Sequence, residues 1–304
     1  MINNTSSMNS YHINKRHERY YVNSLKNSFL NTLKGLTTIE LCITELCTRK
    51  CSFCPRGDSA TYPNQKLFMS ADTISNIANK CLAEGYEGDF HISGFGESFT
   101  HPKFLELTST LRDTLPNNHL VLTTNGDFLN DKTITEVLKR NFNKVIVSCY
   151  DGLERKEHFI RLFEKNGFHN FDIRELWLNP DETTEDLMNR NNFNNRSGSV
   201  NVDLQKENFN TKSPCYLPFY KLVIDWNGSA LLCCNDWKRA HKGFGNINTN
   251  SLVDIWNGEE FVKVRGQLAE GNRVGPACAN CNIKGVLVGK ESVDLFLNER
   301  INHK

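Results

Sequence analysis

Between residues 38 and 178 the chain alternates short apolar runs with stretches of helical periodicity, and this alternation restricts its fold more than any other feature. The runs 38–43, 89–93, 119–123, 144–148 and 171–178 are rich in Val, Ile and Leu and read as strands. A helix capped by Ser70 follows the first of them, with Ile74, Ile77, Ala78 and Leu82 at helical spacing. Further helices are predicted over 103–115, 132–140 and 156–164. Apolar strands separated by helices predict a parallel sheet with right-handed crossovers. About five or six such units are readable, fewer than the eight of a closed barrel. The expected fold is therefore α/β, a partial and open parallel β/α barrel.

The pattern changes after the Asn-rich stretch 189–195. Segments 221–226 and 229–233 flank Asn227-Gly228, a two-residue hairpin signal, and 252–268 reads as one or two amphipathic helical turns before a final Cys pair. This divides the chain into an N-terminal extension (1–37), a barrel domain (38–201) and a small hairpin-plus-helix domain (202–304). With 36 Lys and Arg against 35 Asp and Glu, the net charge of +1 removes the electrostatic case for a nucleic-acid or anionic-membrane binder. No apolar run reaches the roughly 18 residues needed to span a bilayer, and the N-terminal residues lack the apolar core of a secretory signal. The cytoplasm is the expected location.

Eleven Cys in such a chain call for metal or redox chemistry, since an odd number cannot be fully paired and a chain of 304 residues does not need disulfides to fold. Three of them, Cys47-x3-Cys51-x2-Cys54, lie in the loop after the first strand. At this Cys frequency a fixed three-Cys pattern arises by chance about 0.01–0.02 times per chain. Three close thiolates suit three irons of a cubane cluster with the fourth iron left open; a structural zinc would need a ligand from elsewhere, because the loop holds no fourth Cys or His.

With Phe53 before the last Cys, this loop resembles the signature of the radical S-adenosylmethionine (SAM) family. The resemblance implies a 4Fe–4S cluster whose open iron is chelated by SAM, one-electron cleavage of SAM to a 5′-deoxyadenosyl radical, and a flavodoxin- or ferredoxin-type electron donor. It also implies SAM contacts at successive strand ends. Gly94-Phe95-Gly96-Glu97 is similar to the glycine–glutamate motif that meets the SAM amino group, although Ser98 stands where the family usually has Pro. Thr124-Asn125 and Ser148 end the next two strands, where the family has further SAM contacts.

Cys215, Cys233, Cys278 and Cys281 form a second set, which as four thiolates suits zinc or an iron–sulfur cluster alike. The arrangement Cys215-x12-Gly228-x4-Cys233, followed by Gly245-Asn246-Ile247, Ile255-Trp256 and the late pair, resembles the SPASM extension of radical SAM enzymes in its single-cluster form, twitch. That resemblance implies one auxiliary 4Fe–4S cluster and selects Cys233 over its neighbour Cys234. Cys42, Cys81 and Cys149 read as small buried hydrophobes, the alternative being a hydrogen-atom donor.

Within the family the layout is similar to the amino-cyclitol dehydrogenase type, which implies hydrogen abstraction from the carbinol carbon of a small polyol or sugar-like alcohol, with the auxiliary cluster accepting the remaining electron. Epimerisation and peptide modification are the alternatives with the same first step, and a structural zinc protein is the non-enzymatic one. Arg196, between the two domains, is the candidate for handling the substrate hydroxyl. Arg174 is expected to be paired inside the barrel, and His91 reads as a satisfied core histidine.

Overall fold

The computed structural model describes residues 32–183, 186–187, 191, 194–200, 213–283 and 288–302. Most of the N-terminal extension, much of the Asn-rich stretch and the expected 201/202 boundary lie outside the described residues. Five parallel strands appear where the apolar runs predict them: β1 (Thr38–Leu41), β2 (Asp89–Ile92), β3 (Leu120–Thr124), β4 (Lys144–Cys149) and β5 (Phe171–Glu175). The helices between them are α1 (Ala71–Ala83), α2 (Phe104–Thr114), α3 and α4 (Leu153–Lys165). The third, α3, runs through Asp131–Thr133, a π-helical Ile134–Leu138 and Lys139–Asn141. Ser70 caps α1 as expected, its Oγ accepting from Thr73 N at 3.1 Å. The buried stripe of α1 is Ile74, Ile77, Ala78 and Cys81, whereas Leu82 is 59% exposed. Cys81 is four residues from Ile77 and seven from Ile74, which centres it on the stripe that Leu82 only borders.

The hairpin strand assigned to the small domain is a sixth parallel strand of this sheet. β6 (Lys221–Ile224) pairs with the free side of β1, from Thr38 opposite Lys221 to Leu41 opposite Ile224. β7 (Ala230–Leu231) then pairs antiparallel with β6. The seven-stranded order is β5-β4-β3-β2-β1-β6-β7, an open sheet with β5 and β7 at its edges. The hairpin loop holds three residues, Trp226-Asn227-Gly228, rather than two. Gly228 N donates to Asp225 O at 2.8 Å, and Gly228 takes the left-handed conformation (φ 83°) that closes such a loop.

Alternation sorts each strand's side chains. Ile39, Leu41, Phe90, Ile92, Leu120 and Leu122 pack against the helices in the main core, while Glu40, His91, Thr123, Ser148, Arg174 and Lys221 fall on the opposite, concave face. The same core continues into α5 (Leu252–Trp256), α6 (Glu259–Ala269) and α7 (Val288–Asn302). Glu84, beyond the end of α1, accepts from Leu252 N (2.9 Å) and Val253 N (2.6 Å) and so caps α5 across the domain junction. Among the described residues, no helix is long and apolar enough to cross a membrane.

Candidate active site

The loop that leaves β1 carries Cys47, Cys51 and Cys54, all partly buried. Burial, and then the neighbouring Cys54 and Cys47 thiols, push the Cys51 thiol up to about 11. Among the described residues no three His, Cys, Asp or Glu side chains are drawn together tightly enough to hold a metal ion, so what fits the cluster implied by the spacing is the donor set itself, three neighbouring thiols that a cationic metal centre would ionise. The loop is fastened on several sides. Cys47 N donates to Asn64 Oδ1 and Asn64 Nδ2 to Cys47 O, both at 2.8 Å. Thr48 Oγ1 donates to Asp127 (2.6 Å) and accepts from Asn125 Nδ2 (2.8 Å). Arg49 forks between Asp127 and Asp151, with nitrogen–oxygen distances from 2.5 to 3.1 Å, and covers the Tyr150 ring at 5.0 Å. Phe53 stacks on Tyr150 from the other loop end, with centroids 6.0 Å apart.

After β2 the chain turns through Gly94-Phe95-Gly96-Glu97. A Cβ at Gly94, where φ is 106°, would lie 2.3 Å from Cys42 Sγ, and one at Gly96 would lie 2.6 Å from the carbonyl oxygens of Thr44 and Leu46. The space freed by these glycines is thus filled by the exit of β1, which brings the glycine turn against the root of the Cys loop. Glu97 is 3% exposed and accepts from Thr124 Oγ1 (2.8 Å) and Asn125 N (2.7 Å). Burial pushes its carboxyl up to about 7 against the lowering effect of these bonds. The Glu97, Thr124 and Asn125 predicted from separate strand ends therefore meet in one network, and Asn125 carries it on to the Cys loop through Thr48.

Ser148 lies opposite Arg174 in the β4–β5 register. Tyr150 is hydrogen-bonded to Ser148 and to Cys51, while burial raises its phenol well above the ordinary range. His91 meets Thr123 Oγ1 at 2.9 Å; burial and then Lys221 depress it to about 3, so it is neutral and satisfied, as expected. Glu40 accepts from Lys221 Nζ and from Ser93 Oγ, both at 2.7 Å.

Arg196 reaches across this concave face. Its charge acts on Cys54, Cys234 and Arg174, and its guanidinium lies 3.4 Å from Asn235 Oδ1. Arg174, expected to be paired inside the barrel, is exposed and has this second guanidinium, Asp172 and Glu40 as its charged neighbours. Arg196 and Ser197 both adopt left-handed backbone (φ 47° and 57°), a strained choice for residues with side chains.

The second set of thiols also converges. Cys278 interacts with Cys215 and Cys281, and Cys233 with its neighbour Cys234 and then with Cys281 and Cys278. Burial first, then these neighbours, pushes Cys278 up to about 12. By donor chemistry four such thiols suit a closed metal site, although among the described residues they are not drawn together tightly enough to hold an ion. Arg273 ties the Cys215 segment to the late pair, donating to Ser213 O (2.9 Å), Pro214 O (3.1 Å) and Cys281 O (2.9 Å). Cys234, in the turn after β7, faces away from this set. Its charged neighbours are Glu40, Lys221 and Arg196 on the concave face, and burial pushes its thiol up to about 11. Cys42, Cys81 and Cys149 are buried.

Sequence reading missed Arg49, Tyr150, Arg273 and the inward placement of Cys234. A signal existed for Tyr150, which follows Ser148 by two residues and so shares its face. Arg49 and Arg273 have partners far along the chain and no local signature.

Family models match both halves. Residues 41–174 match the radical SAM superfamily, and residues 215–282 match an iron–sulfur cluster-binding domain, SPASM. The chain is 23% identical over 250 residues to the S-adenosyl-L-methionine-dependent 2-deoxy-scyllo-inosamine dehydrogenase of Niallia circulans, covering 82% of this chain and 94% of that protein. Among solved structures, BtrN in complex with AdoMet and 2-DOIA superposes with a TM-score of 0.67 at 20% identity, over 82% of this chain and 95% of that one. SuiB of Streptococcus suis bound to its precursor peptide SuiA gives 0.53 at 14% identity, over 83% and 70%. These superpositions establish a shared fold.

Proposed function

Because this chain is a radical SAM enzyme with a C-terminal SPASM-type iron–sulfur domain, we propose that it oxidises a small polyol or sugar-like alcohol to the ketone. When bound, SAM and its cluster supply a radical that removes hydrogen from the carbinol carbon, and the auxiliary cluster supplies a one-electron acceptor. Cys47, Cys51 and Cys54 would hold the first cluster; Cys215, Cys233, Cys278 and Cys281 would hold the second. Phe53, Gly94, Gly96, Glu97, Thr124, Asn125 and Ser148 shape the SAM side of the cavity, with Glu97 orienting Asn125 and Tyr150 backing the Cys loop.

The observation that carries this reading is the placement of Arg196, in strained backbone between Cys54 and the Asn235 segment of the auxiliary domain. A guanidinium there binds the substrate hydroxyl and favours loss of its proton by stabilising the oxyanion. We assign the enzyme to the cytoplasm, with a flavodoxin- or ferredoxin-type donor.

The test is anaerobic incubation of reconstituted protein with SAM, dithionite and a panel of amino-cyclitols and polyols. Equimolar 5′-deoxyadenosine and ketone are expected. Absence of 5′-deoxyadenosine above a no-enzyme control, or protein that takes up zinc alone, rejects the radical assignment. Arg196→Lys should lower turnover about 10²-fold while leaving substrate-free SAM cleavage in place. Cys215→Ser should abolish ketone formation; full turnover without that thiol rejects electron transfer through the second site.

Epimerisation has one observation in its favour, the half-buried Cys234 thiol on the concave face beside Arg196. Deuterium from heavy water incorporated at a substrate carbon, and lost in Cys234→Ala, would select it over dehydrogenation.

A further inference from the structure

The two thiol sets are joined by a chain of charges, buried except for a half-buried Arg239, that neither set requires as a ligand. Glu45 stands two residues before Cys47, and Arg56 two residues after Cys54. Their ion pair closes the root of the first Cys loop, with the Arg56 side chain 3% exposed and that of Glu45 10%. The second Glu45 oxygen takes the guanidinium of Arg239, which follows Cys233 by six residues and belongs to the auxiliary segment. Arg239 continues to Asp225 at the end of β6, Nε to Oδ2 at 3.0 Å. The result is an alternating row, Arg56–Glu45–Arg239–Asp225, spanning both parts of the molecule.

Three details argue that the row fixes geometry. Burying charges in this way costs desolvation that attraction only partly returns, so replacement by apolar groups would serve stability as well or better. Arg239 accepts left-handed backbone (φ 46°) to reach its partners. The row is also wedged from both sides. Arg56 Nε donates to Phe95 O at 2.7 Å, the Arg239 guanidinium lies 4.0 Å from the Phe95 ring, and Arg56 lies over Trp237 at 5.5 Å. Phe95 belongs to the Gly94–Glu97 turn and Trp237 to the auxiliary segment, and the two rings meet edge to face at 4.8 Å.

We propose that Glu45 is a positioning hub that sets the distance between the two cluster sites by holding the first Cys loop and the segment after Cys233 on opposite oxygens of one carboxylate. This inference rests on the reading that the chain carries two clusters, and its test separates the two questions.

Wild-type protein is reconstituted anaerobically, its iron is counted, and the dithionite-reduced form is examined by electron paramagnetic resonance. Iron for a single cluster in the wild type overturns the two-cluster reading and the hub with it. Given two clusters, Glu45→Gln is expected to keep the wild-type iron content while altering the magnetic interaction between the reduced clusters. Substrate-free SAM cleavage in this variant should rise about three-fold. Arg239→Lys keeps the charge but loses the fork, and should shift both readouts in the same direction; it carries the test if Glu45→Gln fails to fold. Two-cluster protein in which a folded variant reproduces the wild-type magnetic interaction and cleavage rate overturns the hub alone.

Discussion

A carboxyl group buried as fully as that of Glu97 holds its proton to about pH 7, against an ordinary value of 4.5. Its folded-state pKa is raised, so the fold favours the neutral acid, and ionisation costs stability. That cost is absent below about pH 4.5, grows up to about pH 7 and is constant above it, reaching about 3 kcal/mol. Glu97→Gln removes the ionisation while keeping an acceptor for Asn125 N. Its melting temperature relative to wild type should therefore be several degrees higher at pH 8 than at pH 5. A difference independent of pH would show that Glu97 is not a buried, raised-pKa acid. The same residue shows what was readable in advance. Glu97, Asn125 and the Cys triplet were recognisable because their neighbours in sequence share in the pattern. Glu45, Arg56 and Arg239 were not, because what defines them is one another, and Glu45 is separated from Arg239 by 194 positions.

Among the elements, α5 depends on a residue that does not belong to it. Its first amide groups have no carbonyl a turn earlier to accept them, and the Glu84 carboxylate takes two of them from beyond α1. Ser251 caps the same end with a 2.9 Å bond to Asp254 N. Lys80 adds two bonds at 2.6 Å to the carbonyls of Ile247 and Asn250. Glu84→Ala should therefore destabilise the protein by about 1–2 kcal/mol, read as a lower urea midpoint at unchanged slope. A midpoint within error of wild type would mean that water replaces the carboxylate at no cost. Helical periodicity places α1 well and locates the stretch of α5 and α6 while giving it only one or two turns, and it misjudges one position, offering Leu82 where Cys81 faces the core. Periodicity reports a face, and the width of that face depends on the partner helix, which lies elsewhere in the sequence. The hairpin was read correctly as a hairpin; its third loop residue follows from the left-handed Gly228, which suits loops of either length.

For the molecule as a whole, the alternation of runs and helices gave the open α/β sheet and its first five strands, while the sixth was visible only as half of a hairpin. A strand's local pattern says that it pairs, not with what. Because β6 takes the free side of β1, the C-terminal part completes the sheet that the N-terminal part begins. A chain stopped after residue 200 should expose the long side of β1 and the apolar residues beneath it, and should partition to the insoluble fraction. A soluble, cooperatively melting product of that length would show that the first part folds without the second.

The β1–β6 pairing also dictates an order of events at the ribosome. Thr38 must wait for Lys221, 183 residues later, so β1, the first strand of the described residues, is among the last of them to be enclosed. At a usual pace of about 5–20 residues per second, that interval is roughly 10–40 seconds, during which the cysteine loop at the end of β1 hangs from an unfinished edge. The nascent chain thus keeps its cysteine loop accessible for much of its synthesis, a window in which cluster delivery and oxidative damage compete for the same three thiols.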